Sequence, residues 1–401
     1  MEIENIPAMN NIARVNEIKN YMDGVHKIKQ RKDFEFKGEK FTTAKIVLQS
    51  IKSIVDFHAS YILGNPVTLN GDSAQLKLLM SIYKKAFYNS CDYQIAKDIY
   101  TYGNAYEYVY KDEDGVIKSK IIRPEYAYPI YDDGGKYVQF VEYMIDNSNN
   151  VEYKTVYDTD KVSEYVNGTL VGEYNNPTGL PIHYTCGDMD RSGYFGASIV
   201  NDLMPIIDEI EGLLSKMSDS VSTLSLNPLG VSVGDRVDAS VDTDITGAVL
   251  NIESGGEYKW ATAQLDTPAI SVILDNLLNQ FFTIAQVPSV LYGQSNVANV
   301  SEVSLKLLFN CADNLAKKTS YELLKGFYKR LEYIGMLVND NFNDIEISFN
   351  YNRPADDSSI ISDIKTQMEL GIMSRETAMR VSPYITDVQR ELERELEASN
   401  Q

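Results

Sequence analysis

The chain has 401 residues, of which 44% are hydrophobic and 23% charged, a composition typical of a folded protein rather than a disordered one. At roughly 150 residues per compact unit, this length predicts two or three such units. The formal net charge of −20 argues against tight binding of nucleic acid, because phosphate contacts need a basic excess. The same charge is compatible with a surface past which DNA slides, or with one that only keeps the protein dispersed.

Membrane and secreted classes are not predicted. No segment approaches the run of ~18 uncharged apolar residues that a membrane span requires. The acidic start MEIENIPAMN lacks the apolar segment of a secretory signal. Cys91, Cys186 and Cys311 are odd in number and far apart, which favours free thiols in a reducing cytoplasm.

No motif predicts catalysis, a metal or a cofactor. His26, His58 and His183 lie in different regions, and none has metal-ligand spacing to a cysteine or another histidine. His58 lies on the apolar face of a predicted helix and is expected in the core. Asp188–Gly193 starts like a calcium loop, but the twelfth position is Ile199 instead of a bidentate Glu. Because phosphate-loop, dinucleotide and G-x-S-x-G motifs are also missing, we predict a protein that is not an enzyme.

Residues before Asn104 predict helices, and residues 104–186 predict strands. Apolar periodicity near 3.6 gives three helices, at Thr42–Leu63, Ser73–Tyr88 and Asp92–Tyr102. From Asn104 the period changes to two, and the runs 105–110 and 116–122 flank an acidic Gly turn, which predicts a hairpin. Tyrosine crowds this region, either on half-buried strand faces or on an aromatic binding surface.

Helical periodicity returns at Asp202, a candidate N-cap with Pro205 in the first turn. Apolar residues then recur at intervals of three and four, which predicts a seam for packing against another helix. They are Leu203, Ile206, Ile210, Leu213, Met217, Val221 and Leu224. A second apolar helix follows later, capped by Thr267 and running to Gln286. Its apolar face consists of Ile270, Ile273, Leu274, Leu277, Phe281 and Ile284.

The segment between these two helices, residues 227–263, predicts a small β-containing insertion with short strand-like runs at 229–233, 249–252 and 258–261. After the second helix comes a polar loop, VPSVLYGQSNVANVS, at residues 287–301. Its length is unusual for a helical hairpin and indicates a function.

A very long helix, Ser301–Asn339, follows the loop, with Gly326 and Gly335 as candidate kinks. The chain closes with a strand-like run, Asp344–Asn350, and short charged helices.

This order of elements resembles the portal proteins of tailed bacteriophages, in particular the portal family of long-tailed siphophages and related prophages. Several stretches are similar to segments of that family, and the resemblance rests on their order along the chain. They are Tyr61–Pro66, Asp98–Tyr110, Arg123–Glu125, Pro205–Ser218, Val287–Pro288 with Asn299–Leu308, and Gly371–Thr377.

The resemblance implies an α+β, mainly helical, portal-type fold that assembles into a ring. It divides the chain into a wing (1–200), a first stem helix (201–226), a clip (227–263), a second stem helix (264–286), a tunnel loop (287–301), a long kinked helix (302–343) and a short helical crown (344–401). The crown is short for the family, and the contacts of a larger crown are not expected here.

The resemblance also implies a function. Portal proteins form a ring of about a dozen copies at one capsid vertex, and double-stranded DNA passes through its channel during packaging, retention and ejection. The implied partners are further copies of the chain, the terminase large subunit at the clip, the major capsid and scaffolding proteins at the wing, and a head–tail adaptor. The implied location is the virion, after assembly in the host cytoplasm, with no membrane partner.

Two sets of site residues follow from the resemblance. The tunnel loop would face DNA with short neutral dipoles and no basic side chain, through Gly293, Gln294, Ser295, Asn296 and Asn299. The stem helices would pack through Leu203, Ile206, Ile210, Leu213, Met217, Ile273, Leu277 and Phe281.

Two alternatives stay open at the level of sequence. One is a different ring-forming adaptor or injection-machine component with the same organisation. The other is a hydrolase that acts on glycans or nucleic acid through its abundant carboxylates.

Overall fold

The computed structural model describes residues 6–36, 39–71, 73–222, 229–233, 257–261, 266–288, 307–353 and 357–382, with 384, 391 and 394. The chain divides into two compact units. The first comprises Met1–Asn296 and Cys311–Tyr351, and the second comprises Val297–Asn310 and Asn352–Gln401.

The first unit contains most of the described helices. They are α1 (Ile6–Met22), α2 (Ser50–Leu63), α3 (Ser73–Ala86), α4 (Tyr88–Tyr102), α5 (Ile199–Val221), α6 (Thr267–Ala285) and α7 (Asn310–Val338). Short 3-10 helices lie at Lys27–Gln30 and Pro124–Tyr126. In the second unit, α8 (Asp357–Glu369) and α9 (Arg375–Val381) are described, and they contact each other.

The strands follow the predicted change of period. They are β1 (Phe34–Phe36), β2 (Glu39–Phe41), β3 (Thr68–Asn70), β4 (Asn104–Lys111), β5 (Ile117–Ile122), β6 (Ala127–Tyr131), β7 (Tyr137–Asp146), β8 (Val151–Tyr157), β9 (Lys161–Val166), β10 (Thr169–Asn175), β11 (Ile182–Thr185), β12 (Leu229–Val233), β13 (Glu257–Ala261) and β14 (Glu346–Ser348). A five-stranded antiparallel sheet has the order β10-β9-β8-β7-β6, and a three-stranded sheet has the order β11-β4-β5. The predicted hairpin at 105–122 is therefore confirmed as β4–β5.

The two larger sheets share one apolar cluster. Tyr106 and Ile122 of the three-stranded sheet pack with Phe140, Tyr157 and Val162 of the five-stranded sheet. Most tyrosines of this region are buried or half-buried, as the interpretation of half-buried strand faces expects. The alternation of side chains along each strand thus places the aromatic rings between the sheets.

The described helices confirm the mixed, largely helical fold class, but several predicted boundaries are wrong. The helix predicted from Thr42 begins at Ser50, because residues before it donate their N–H groups to side chains of α5 instead of to a helical ladder. Helix α3 ends at Ala86 and α4 begins at Tyr88, where Phe87 takes a left-handed conformation with φ 55° and separates them.

The start of α5 also differs from the prediction. The N-cap is Ser198 instead of Asp202, since the Ser198 hydroxyl accepts the N–H of Val200 at 3.1 Å. Pro205 consequently lies inside the helix rather than in its first turn. For α6 the cap is Asp266, whose carboxylate accepts the N–H of Ala269, rather than Thr267.

Helix α7 is continuous through Gly326 and Gly335, the two candidate kinks. Gly326 serves close packing instead, because a Cβ atom built on it would lie 2.1 Å from the Tyr184 ring. After α7, strand β14 pairs with β3, which joins the start of the segment predicted as the crown to the first unit.

Part of the segment predicted as the clip, residues 227–263, is described. Strands β12 and β13 pair antiparallel with Leu229 opposite Ala261, at two of the three predicted strand-like runs. The third run, at 249–252, lies outside the described residues, as does the first part of the predicted long helix, residues 301–306.

Candidate functional site

The candidate site consists of the two stem helices and the supports of the loop between α6 and α7. Helices α5 and α6 contact each other, and the buried part of α6 is its end, at Phe281, Phe282 and Ala285. Of the predicted packing residues, Leu203, Ile210 and Phe281 are buried. Ile206, Leu213, Met217 and Leu277 are half-buried. Ile273 is 51% exposed, so the described fold of one chain does not cover the whole seam.

A polar ladder fixes α5 to the segment that precedes α2. Glu211, Ser215 and Asp219 lie one turn apart on α5. They accept the N–H groups of Leu48 at 2.6 Å, Ile46 at 3.0 Å and Ala44 at 2.8 Å. The spacing of the N–H donors matches the spacing of the acceptors on α5. Two extended residues span about 6.6 Å, close to the pitch of about 5.4 Å for one helical turn. The segment therefore runs antiparallel to α5.

Ring and charge contacts strengthen this ladder. The His26 ring contacts Glu211 Oε1 through Nδ1 at 2.7 Å and the Tyr21 carbonyl through Nε2 at 3.0 Å. The same ring stacks on Tyr21 at 3.8 Å between centroids, and burial raises the pKa of the Tyr21 hydroxyl. Arg31 pairs with Asp219 at 2.6 Å. Helix α5, the predicted first stem helix, is thus held by the N-terminal region through hydrogen-bonded side chains that are mostly buried.

The start of the predicted tunnel loop is anchored to α2. His58 Nε2 donates to the carbonyl of Ala285 at 2.7 Å, where α6 ends. Gln286 follows in a left-handed conformation with φ 53°, and Val287 is buried. Burial lowers the pKa of His58 to about 4, so the imidazole is neutral at physiological pH and Nε2 carries its proton toward the carbonyl. The prediction of His58 as a core residue is confirmed.

The far side of the loop is anchored to the same helix. The Tyr61 hydroxyl, one turn after His58, donates to Asp313 Oδ1 at 2.5 Å, near the start of α7. The Tyr61 ring stacks on Tyr351 at 6.1 Å. Neighbouring side chains of α2 therefore hold the chain on both sides of the predicted tunnel loop. The loop residues themselves, Gly293, Gln294, Ser295, Asn296 and Asn299, lie outside the described residues.

A buried ion cluster joins α7 to α4 and β4. Arg330 is fully buried, and its Nη1 donates to Asp92 of α4 at 2.5 Å. Its Nε donates to both oxygens of Glu107 of β4, at 2.8 and 3.0 Å. The Tyr184 hydroxyl donates to the same carboxylate at 2.5 Å. Burial raises the pKa of Asp92 to about 6 in spite of the opposing effect of the Arg330 guanidinium.

Sequence reasoning missed both polar groups, the Arg330 cluster and the Glu211 ladder. One sequence signal could have indicated these buried groups, namely a carboxylate inside an apolar run. Glu107 lies within AYEYVY, and Glu211 comes directly after Ile210 of the α5 seam. A charged residue at a core-facing position indicates a buried partner. Its partner, however, lies far away in sequence and leaves no local pattern.

The stretch Asp98–Tyr110, which contributed to the resemblance, has a structural explanation. Gly103 ends α4 with φ 83°, and a Cβ atom built on it would lie 2.1 Å from the carbonyl oxygen of Gly196. Asn104 follows, and its Oδ1 accepts the N–H of Gly196 at 2.9 Å and contacts His183 Nε2 at 2.9 Å. The Ser198 hydroxyl donates to the Thr101 carbonyl. The motif thus joins the end of α4 to the start of the first stem helix.

Among the described residues, no group of three or more His, Cys, Asp or Glu side chains is arranged to hold a metal ion. Each histidine is instead in contact with protein atoms, and Cys91, Cys186 and Cys311 are free thiols, as predicted. No described helix combines the length and the apolar character needed to cross a membrane.

Comparisons with known proteins identify the family of the chain. A sequence profile of the family "Phage portal protein, SPP1 Gp6-like" matches residues 8–401. The portal protein of Bacillus phage SPP1 is 23% identical over 387 residues, which cover 87% of this chain and 75% of that protein.

Solved structures extend the likeness to the fold. A chain in the virion of a native gene transfer agent particle has a TM-score of 0.50 at 13% identity, covering 82% of this chain and 86% of that one. A chain in the neck of an empty gene transfer agent particle, computed with C6 symmetry, has a TM-score of 0.51 at 13% identity, covering 81% and 89%. The portal interpretation is therefore favoured over the adaptor and hydrolase alternatives. The chain belongs to the SPP1 Gp6-like family of phage portal proteins, and its function is that of a portal, a ring-forming structural protein of a phage-type virion.

Proposed function

We propose that this chain forms a ring of about twelve copies at one capsid vertex, and that DNA passes through the central channel during packaging, retention and ejection. The observation that carries the proposal is the surface of α6. Val272 and Ile273 are 60% and 51% exposed, although they lie in the middle of a helix that packs on α5. Ile270, Leu274 and Leu277 of the same helix are only half-buried.

An apolar helix surface of this kind needs a further partner. On folded proteins, contiguous exposed apolar residues usually indicate an interaction site. In a closed ring each subunit contacts two neighbours through different surfaces, so one stem helix pair can bury the exposed side of the next. The gene transfer agent neck, to which the fold is similar, was computed with six-fold symmetry, and this supports a ring.

We assign the channel contact to the tunnel loop. Gly293, Gln294, Ser295, Asn296 and Asn299 carry no charge, so they can approach phosphates without forming fixed ion pairs. The anchors on α2 support this role, because His58 and Tyr61 hold the chain on both sides of the loop. DNA contact at this point would be independent of sequence, as a channel requires.

Further partners follow from the family. The packaging ATPase would bind at the clip, around β12 and β13, and a head–tail adaptor would join the ring to the tail. Capsid and scaffolding proteins would contact the wing. The chain would supply no catalytic group, so the energy for DNA movement comes from the ATPase. Assembly would take place in the host cytoplasm before the ring enters the virion.

A substitution on the exposed side of α6 tests the ring. Ile273→Asp should abolish ring formation, because a neighbouring subunit would have to bury an unpaired charge. The isolated subunit should keep its stability, since surface changes usually alter the free energy of unfolding by less than about 0.5 kcal/mol. Mass measurement of the native assembly, together with a thermal melt, separates the two effects.

Asn276→Asp on the same helix is the matched control. Asn276 is exposed and polar, and the new charge is the same. Its rings should form at wild-type yield. Rings of normal yield from Ile273→Asp would show that this side of α6 faces solvent in the assembly, and the proposed stem interface would be wrong.

A further inference from the structure

Helix α3 presents an unusual surface for a chain with a net charge of −20. Its sequence SAQLKLLMSIYKKA contains three lysines and no acidic residue. Lys77, Lys84 and Lys85 are all exposed, and none has an ion-pair partner among the described residues. Met80 lies between them on the exposed side and is 58% exposed.

Phe87 completes this surface. It is 75% exposed, directly after α3, and its φ of 55° belongs to the left-handed region, which is uncommon for a residue other than glycine. On either side, Tyr83 and Tyr88 are buried, with ring centroids 4.7 Å apart, and they fix the backbone around Phe87. The phenyl ring is thus presented outward from a well-packed base. We call Lys77, Met80, Lys84, Lys85 and Phe87 the α3 patch.

The opposite kind of surface lies on β9 and β10. Strand β10 is an edge of the five-stranded sheet, and Leu170, Val171 and Tyr174 are 50%, 59% and 57% exposed. Two acidic residues lie among them: Glu164 on β9 opposite Gly172, and Glu173 on β10, whose carboxylate pairs with Lys161 of β9 at 3.1 Å. Glu164 and Tyr174 lie on one face of the sheet, and Leu170 and Glu173 lie on the other. We call Glu164, Leu170, Val171, Glu173 and Tyr174, which flank the β10 edge, the β10 patch.

The apolar core explains why the β10 patch is uncovered. One cross-strand row runs Phe140, Tyr157, Val162, Tyr174, and the exposed fraction rises along it from 0% through 3% and 7% to 57%. The sheet therefore extends beyond the cluster that covers its centre. An edge strand with exposed apolar side chains is a site for association unless another surface covers it.

We propose that the α3 patch of one subunit contacts the β10 patch of the next subunit in the ring. The inference rests on the proposed ring. A ring requires two different, complementary surfaces on each subunit. Here one surface is basic with a Phe and a Met anchor. The other has two carboxylates and one lysine beside Leu, Val and Tyr, so the net charges are opposite and both surfaces carry exposed apolar groups. Because both halves occur on one chain, a second copy satisfies both patches without any other protein.

Charge exchange between the two patches tests the contact. The first variant carries Lys84→Glu and Lys85→Glu, and the second carries Glu164→Lys and Glu173→Lys. In either variant alone, neighbouring subunits present like charges to each other. Ring assembly should then need a subunit concentration raised by about tenfold or more at low salt, where surface charges are least screened.

An equimolar mixture of the two variants gives the sharpest result. Each subunit can now place its altered patch against a patch of opposite charge on the other variant. Rings should therefore reappear, and native mass spectrometry should find both variants in equal numbers, alternating around rings with an even number of subunits. The wild type must form rings under the same conditions, so a failure of the ring proposal itself is recognised separately.

Two further measurements complete the test. Lys52→Glu with Lys365→Glu changes the net charge as the first variant does, on exposed lysines of α2 and α8, and its rings should form as in the wild type. Circular dichroism of the dissociated variants checks their fold. If either charge variant alone assembles like the wild type, or if mixing restores nothing while both variants are folded, these patches do not form the contact between subunits.

Discussion

Replacing Arg330 by methionine should lower the free energy of unfolding by about 3–5 kcal/mol, because the substitution leaves buried carboxylates without their cation. Asp92 and Glu107 both bond to this guanidinium, and all three side chains are at most 3% exposed. Chemical denaturation of the dissociated subunit measures the change. The cluster holds α7 against α4 and β4, so the loss should extend to the packing of the helix that follows the tunnel loop.

The pH dependence of this stability loss shows whether the unpaired carboxyl groups cause it. Without Arg330 the pKa of the Asp92 carboxyl group, which burial already raises, should rise further above its value in the unfolded chain, so the folded state binds more protons. The deficit of the variant should accordingly shrink as the pH falls toward 4 and grow as the pH rises. Adding Asp92→Asn and Glu107→Gln should recover much of the stability at neutral pH.

Lys329→Met is the matched control for Arg330→Met. Lys329 precedes Arg330 on α7 but pairs with Glu332 at the surface, where both side chains are more than 40% exposed. Its replacement should change stability by less than about 1 kcal/mol. A small and pH-independent effect of Arg330→Met would contradict a structural role for the ion cluster.

Deleting residues 294–299 should leave ring assembly intact and abolish the packaging of DNA into capsids. The deletion removes Gln294, Ser295, Asn296 and Asn299 from the proposed channel surface. It spares the anchors of the loop, since Ala285 and Asp313 lie outside it and stay bonded to α2. Nuclease-protected DNA per assembled particle is the measurement.

Two controls separate the loss of DNA contact from general damage. Removing residues 396–401 deletes the same number of residues at the end of the chain and should leave packaging unchanged. Replacing residues 294–299 by six residues of glycine and serine restores loop length without the Gln and Asn side chains. If the deletion variant packages as well as the wild type, the loop does not act on DNA in the channel.

Local sequence patterns predicted much of the fold. The β4–β5 hairpin follows from alternation around an acidic Gly turn, and the end of α4 follows from Gly103, whose left-handed φ favours glycine. Strands β12 and β13 occupy two of the three runs proposed from composition. In each of these cases, the residues that decide the structure are neighbours in sequence.

The errors arose where distant residues decide the structure. Residues 43–48 have the apolar periodicity of a helix, but the N–H groups of Ala44, Ile46 and Leu48 find acceptors on α5, more than 160 positions away. Asp202 has the residue type of an N-cap, whereas Ser198 takes that position because it also bonds to Thr101 at the end of α4. Tertiary hydrogen bonds override local propensity at both places.

In the candidate site, too, local patterns predicted the helices but not the contacts between distant residues. Periodicity predicted helices at the places of α5 and α6, and the two helices contact each other. Periodicity cannot tell which apolar side is buried within one chain and which is left for a neighbour, as Ile273 shows with its 51% exposure. The Arg330 cluster joins residues 223 and 238 positions apart, and no local pattern reveals it.

Electron cryo-microscopy of the purified wild-type protein tests the central claim most directly. The account predicts a closed ring of about twelve subunits around a central channel. In that ring Val272 and Ile273 should be buried against the neighbouring subunit, and residues 294–299 should line the narrowest part of the channel. Monomers at assembly concentrations, or rings in which this side of α6 faces solvent, would contradict it.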